Sequence, residues 1–207
     1  HHGRTMGRPK GRRNEDYGAS RDDLLQRVEA ELLAPRGARL SFRALARAAD
    51  VTPPTLRHYF GTHDGLILAV LERLRASWSA ELRALARCEG PPEESLAEVI
   101  AVLCRAWGER LGAGHELGLR LGPQLSPRFL EEILEPWLQA VEARVAGHMA
   151  AGALRRGDVR HATLSFVGPV VFALVHQTAL GGARSRPLDL DRFAEDHLRA
   201  FLAAHAP

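Results

Sequence analysis

Residues Ser41 to Phe60, SFRALARAADVTPPTLRHYF, constrain this chain more than any other stretch. Ser41 is a natural N-cap, and Phe42, Leu45, Ala46 and Ala49 recur at i, i+3, i+4 and i+7, which predicts a short amphipathic helix. Asp50 falls where the chain must turn with a left-handed backbone, which Asp tolerates better than most residues with a side chain. Val51 points back inward. Thr52 can cap a second helix that opens on Pro53, where a missing N–H costs nothing. Leu56 and Phe60 then face a core, leaving Pro54, Thr55, Arg57, His58 and Tyr59 outside. A short helix presenting a cation, an imidazole, a phenol and a threonine is what a reader of the DNA major groove offers. An ordinary helix pair with a polar outer face has the same periodicity, so the pattern alone leaves both readings open.

The run D-V-T-P-P-T-L-R-H-Y-F, followed by G-T-H-D-G-L and a long helix, resembles the TetR family of bacterial transcriptional repressors. The resemblance covers roughly residues 20 to 72 in motif and the remainder only in architecture. It implies an all-α chain, with a three-helix DNA-binding domain followed by a larger helical domain for effector binding and dimerisation. It also implies a dimer on a palindromic operator, whose two reading helices enter successive major grooves. Two positions depart from the family pattern. Arg57 stands where a Tyr commonly follows the Leu of the reading helix, and His63 replaces a common phosphate-holding Lys. Arg reads guanine bidentately through O6 and N7, whereas His is a weaker, pH-dependent cation. Arg43, Pro54, Thr55 and Arg57 are therefore expected on base edges, and Thr52, His58, Tyr59 and His63 on phosphates.

Formal charge is distributed in keeping with this. Residues 1–61 hold 12 Lys and Arg against 7 Asp and Glu, a net of +5, while 62–207 hold 16 against 18, a net of −2. The cationic excess accompanies the suspected DNA reader. His1 to Thr5 read as the remnant of a purification tag, with Met6 the expected native start. The basic, Gly- and Pro-containing run Gly7 to Arg13 is expected to be a disordered arm that lays Arg8, Lys10, Arg12 and Arg13 along phosphates or in a minor groove. Tag remnant and arm thus occupy 1–19, the helix-turn-helix domain 20–65 and the second domain 66–207.

Beyond the reader the pattern is helical throughout. A first helix is expected from about Ser20 to Ala34, with Leu24, Leu25, Val28, Leu32 and Leu33 as its stripe. Thr62 should cap a long fourth helix whose stripe continues through Trp78 to Leu85. Gly90-Pro91-Pro92 breaks the chain before a helix over 93–111, and a short helix near 115–121 follows. Pro136 must kink or interrupt a helix over 129–151. The last two helices cover about 158–180 and 189–205, and the former is apolar nearly all round, so it must be buried on more than one side. The family resemblance implies that these two pair with their copies in a second subunit, with Phe166, Val170, Leu174, Phe193, Leu198 and Phe201 at the interface.

Chemistry-bearing motifs are scarce. The ten histidines are scattered, Cys88 and Cys104 lack disulfide or zinc-site spacing, and neither H-E-x-x-H nor a strand followed by a phosphate loop occurs. No metal, no cofactor and no enzymatic activity is expected. An all-α enzyme would require a nucleophile and a base converging in a cleft. By analogy with the family, Trp78, Leu103, Cys104, Trp107, Leu121, Trp137 and Phe166 are candidates to line a pocket for a small hydrophobic or aromatic effector, with Arg120 or His148 as a polar contact. Taken individually, each of these reads first as plain core. A dimeric DNA-binding protein that has lost its effector is the alternative. With no run of ~18 uninterrupted apolar residues and no secretory signal, the expected location is the cytoplasm.

Overall fold

The computed structural model describes the backbone of residues 10–34, 41–107, 121 and 123–207, and side chains from Ser20 onward. All regular structure among these residues is helical. Two compact units divide between Val70 and Leu71.

In the N-terminal unit, α1 (Lys10–Leu33), α2 (Phe42–Ala48) and α3 (Pro53–Phe60) lead into α4 (His63–Ser77). Its core is built from Val28 and Leu32 of α1, Leu45 and Ala46 of α2, Leu56 of α3 and Leu66, Ile67 and Val70 of α4, all at most 2 % exposed. Helix α1 begins ten residues earlier than the apolar stripe indicates. Lys10, Arg12 and Arg13, expected in a disordered arm, stand in its first turns, and Arg8 lies outside the described residues. No proline occurs between Pro9 and Pro35, so nothing in that span breaks a helix once the Leu24–Leu33 portion has nucleated it.

The C-terminal unit contains the end of α4, then α5 (Ser79–Leu85) and α6 (Pro92–Ala106). After a gap come α7 (Ser126–Phe129), a π turn (Leu130–Leu134) and α8 (Glu135–Ala150). The chain closes with α9 (Val159–Thr178), the single turn α10 (Gly182–Ser185) and α11 (Leu190–Ala204). Helix α9 is the hub and packs against α6, α8, α10 and α11. By length and composition it could cross a membrane, but here Phe166, Val170 and Leu174 are buried in the protein core.

Two boundaries differ from expectation for local reasons. The long fourth helix breaks at Trp78, where the Ser77 hydroxyl donates back to the Leu74 carbonyl at 2.8 Å and competes with the backbone ladder. Pro136 does not interrupt its helix. The backbone widens into a π turn in which the Glu135 N–H reaches the Leu130 carbonyl, relieving the clash that a proline ring makes with the carbonyl four residues back. Helix α6 is α-helical to Ala106 and Trp107 keeps helical backbone angles; the rest of the helix expected to 111 lies outside the described residues, as does almost all of the one expected near 115–121.

One buried cation organises α5, α6 and α8. Arg144, 2 % exposed, donates to the carbonyls of Ala84 and Leu85 at 2.7 and 2.8 Å, to Ser95 O at 2.6 Å and to the Glu98 carboxylate at 2.7 Å. It thereby supplies a donor to the Leu85 carbonyl at the C-terminus of α5 and a second one to Ala84 O, which also accepts from Arg87 N at 3.2 Å. Nearby, Gly147 permits a close approach, since a Cβ there would sit 2.7 Å from both Cβ and Sγ of Cys88.

Candidate nucleic-acid interface and small-molecule cavity

The α2–turn–α3 corner is assembled by side chains in sequence order. The Ser41 hydroxyl accepts from Ala44 N at 3.3 Å and starts α2. Asp50 takes φ 55°, the left-handed conformation expected of it, and is the only such residue besides glycine among those described. Thr52 then caps α3, accepting from Thr55 N at 3.4 Å with the two hydroxyls 2.9 Å apart. Leu45, Ala46, Ala49 and Leu56 are fully buried beneath the corner, and Arg27 of α1 donates to Ala49 O at 3.0 Å, fixing the end of α2.

Outside this support, Arg43, Pro54, Arg57 and His58 are exposed, while Thr55, Tyr59 and His63 are half-buried. The Arg57 guanidinium lies over the Phe42 ring, 5.8 Å from its centroid. His58 and Tyr59 meet edge to face at 5.3 Å. His63 Nδ1 stands 3.3 Å from the Asp64 carboxylate. The result is an eight-residue helix with a cationic, hydrogen-bonding outer face on a rigid corner, which can enter a major groove and donate to base edges.

In the C-terminal unit, α5, α6, α7, the π turn, α8 and α9 enclose a cavity of about 430 Å³. Val99, Leu103 and Trp107 supply the α6 wall; Phe129, Ile133, Trp137 and Val141 come from α7 through α8; Val167, Val171 and Val175 come from α9. Among the described residues, no ionisable side chain lines it. Trp107 Nε1 is already committed to Thr178 Oγ1 at 3.2 Å, and Trp137 Nε1 is buried without a hydrogen-bond partner. Trp137 meets Trp78 edge to face at 6.0 Å and also lines a more polar hollow of about 480 Å³ with Glu81 and Arg105. Beside the cavity, Arg160 of α9 bridges Glu135 and Glu142 of α8 at 2.7 and 2.8 Å. That bridge holds the Glu135 carboxyl below the usual range and raises the guanidinium pKa.

Residues 30–70 match the family described as bacterial regulatory proteins, tetR family. The N-terminal unit is a TetR-family DNA-binding domain. Solved TetR-family structures share its fold over most of the chain. A TetR-family transcriptional regulator from Mesorhizobium loti aligns at TM-score 0.73 and 18 % identity, covering 92 % of this chain and 98 % of its own. FadR from Bacillus subtilis, solved with stearoyl-CoA, aligns at TM-score 0.65 and 15 % identity, covering 90 % and 98 %. SmeT in complex with triclosan aligns at TM-score 0.62 and 23 % identity, covering 91 % and 92 %. No curated protein matches the chain.

Within this TetR-type architecture the residues read from sequence are sorted unequally. The corner brings together Arg43, Thr52, Pro54, Thr55, Arg57, His58 and Tyr59, although the hydroxyl of Thr52 is used to cap α3. Of the pocket candidates, Leu103, Trp107 and Trp137 line the cavity. Trp78 borders the adjoining hollow instead. Cys104 is half-buried near Asp191, and burial pushes its thiol pKa up. His148, 2 % exposed, sits where burial and the Arg144 charge depress its pKa. Leu121 is buried outside the cavity lining, and Arg120 lies outside the described residues. Phe166 packs in the core against Phe201 with ring centroids 4.8 Å apart, and its carbonyl lies 2.8 Å from His197 Nε2.

Phe166, Val170, Leu174, Leu198 and Phe201, expected at the interface with a second subunit, are each at most 9 % exposed within a single chain. The reason is that α9 packs directly on α11, so the facing stripes of the two helices cover each other. Phe193 remains half-buried, stacked 6.1 Å from His197. The apolar residues left outside are Leu164 and Phe172 of α9, with Leu180 and Leu188 beyond it. The α9 contribution to the cavity escaped the sequence reading altogether. Its residues recur at i, i+3, i+4, i+7, i+8 and i+11 from Leu164, but in a helix apolar on every side that stripe has no polar border to reveal it.

Proposed function

We propose that this chain is a ligand-responsive transcriptional repressor of the cytoplasm, which binds a palindromic operator as a homodimer and is released by a small hydrophobic molecule. The observation that carries the DNA-binding half is the capped α2–α3 corner presenting Arg43, Pro54 and Arg57 to solvent. The cavity of about 430 Å³ supports the second half, since small-molecule sites run about 300–1,000 Å³ and are mostly apolar. The FadR and SmeT structures, which hold stearoyl-CoA and triclosan, lend weight to an apolar effector. Exposed Phe172, Leu180 and Leu188 on and after α9 supply a face for a second copy, because isolated soluble chains seldom leave such groups uncovered together. Coupling requires only that the effector bind the DNA-incompetent form more tightly, typically by about 1–3 kcal/mol. Selection of bound sequences from a random DNA library tests this directly. A palindromic consensus whose binding weakens when apolar compounds are added is expected, and recovery of no enriched sequence would overturn the reading.

A further inference from the structure

Helix α9 carries one face that no described part of the chain covers. Leu164, Ser165, Gly168, Pro169 and Phe172 lie on it, all exposed, and between His161 and His176 the helix has no ionisable residue. Glycine and proline are the two least favourable residues in a helix interior. Gly168 and Pro169 nevertheless stand side by side in the middle of this one. Packing within the chain does not call for the glycine, since a Cβ there would meet no described atom within 4 Å. One turn further on, Phe172 is 66 % exposed. The face thus sets a hollow and a projecting ring four residues apart.

The same face forms a wall of the cavity. Leu164, Gly168 and Phe172 line it, as does Leu134 of the π turn, 37 % exposed. Residues that both line a cavity and meet solvent mark the side on which it stands open. Small-molecule sites usually bury most of their ligand's surface, whereas an apolar ligand here would leave one side in water.

We infer that a second copy of the chain supplies the missing wall, so that the cavity is complete only in the dimer. A two-fold axis beside α9, between Gly168 and Phe172, sets Phe172 of each copy on Gly168 of the other, an isologous contact in which ring fills hollow. The absence of charge along this stretch lets two identical faces meet without repulsion. Ligand binding and dimerisation are then linked, and each strengthens the other. This closure rests on the readings of the chain as a homodimer and of the cavity as a small-molecule site.

The test pairs sedimentation equilibrium with uptake of N-phenyl-1-naphthylamine, an uncharged dye that brightens in apolar surroundings, by the full chain. Leu180 and Leu188 belong to the proposed dimer face but line no part of the cavity. The L180E/L188E variant should therefore be monomeric and bind the dye at least tenfold more weakly than wild type. G168L fills the hollow and should weaken dimerisation at least tenfold. Diluting wild-type protein through its dimer dissociation range should lower dye affinity in step, and saturating dye should move that range to at least tenfold lower concentration. These two measurements carry the test should a variant not fold. Unchanged dye affinity in the L180E/L188E monomer or on dilution would overturn the closure, and a G168L chain that dimerises like wild type would overturn the seat of Phe172. A wild-type chain that stays monomeric at micromolar concentration yet binds the dye would remove the dimer reading, and the closure with it. A wild-type dimer that binds no dye would instead remove the small-molecule reading.

Discussion

The Arg57 guanidinium of α3 lies over the Phe42 ring of α2, 5.8 Å from its centroid. A cation at this distance is within attractive range of the ring face, so the side chain expected to read DNA is oriented by the neighbouring helix before DNA arrives. Replacing Arg57 by Ala should cost about 1–3 kcal/mol on the selected operator and relax preference at one base pair per half-site. Phe42→Leu keeps the buried packing and removes the ring, so it should weaken the operator less. Fluorescence anisotropy on operator and random DNA separates the outcomes, and equal losses on both would make Arg57 a backbone clamp.

Asp50 pays for its left-handed backbone, φ 55°, and its exposed side chain adds no buried contact. Asp50→Val should therefore destabilise by about 1–2 kcal/mol, and Asp50→Gly should be neutral or stabilising. Thermal melting distinguishes them, and a Val variant as stable as wild type would contradict the assignment of strain.

Those features of the corner were legible because they are local. A capping hydroxyl, a turn residue and a four-residue spacing act within one or two turns, so Ser41, Asp50, Thr52 and Thr62 could be placed from the chain alone, and Gly65 N–H does bond the Thr62 hydroxyl at 3.0 Å. The cavity was only partly legible. Its Leu103, Trp107 and Trp137 stand out as large side chains, but its α9 wall depends on which side of an all-apolar helix faces which neighbour. Arg144 was missed for a related reason, since its partners are carbonyls 49 to 60 residues away, which no residue type announces.

Removing that arginine should be severe. Arg144→Met leaves the Leu85 carbonyl without its side-chain donor and removes one donor each from Ala84 O and Ser95 O, and a loss of up to about 3 kcal/mol is expected in urea denaturation. A loss below about 1 kcal/mol would mean that water replaces the guanidinium at little cost.

His148 makes stability depend on acidity. Burial first, and the Arg144 charge second, lower its folded-state pKa below the ordinary 6.5. The unfolded chain therefore takes up the proton first. Stability is fully present above about pH 6.5 and falls as pH drops below it, by up to about 1.4 kcal/mol per unit until the folded pKa is reached. Denaturation midpoints at pH 7.5 and 5.5 should differ less in His148→Gln than in wild type. An unchanged difference would assign the acid sensitivity to other groups.

Gly147 and Cys88 should behave as a coupled pair. With both Cβ and Sγ of Cys88 at 2.7 Å from the missing methyl, rotation of the thiol cannot make room, and Gly147→Ala should cost about 1–3 kcal/mol. Adding Cys88→Gly should recover most of that loss relative to Cys88→Gly alone. Additive effects in the double-mutant cycle would show that α8 and the segment carrying Cys88 part instead.

The π turn at Leu130–Leu134 gives the chain a way to remodel its cavity by changing length instead of composition. A π turn holds one residue more than an α turn, and each residue of an α-helix advances about 100° around the axis. Excising a single residue there would rewind the segment as ordinary helix and swing Phe129 and the preceding backbone by about that angle relative to Trp137, while α8 beyond it kept its packing. Homologues that differ by one residue at this point would then present a differently shaped wall to the same space, with every other lining side chain conserved.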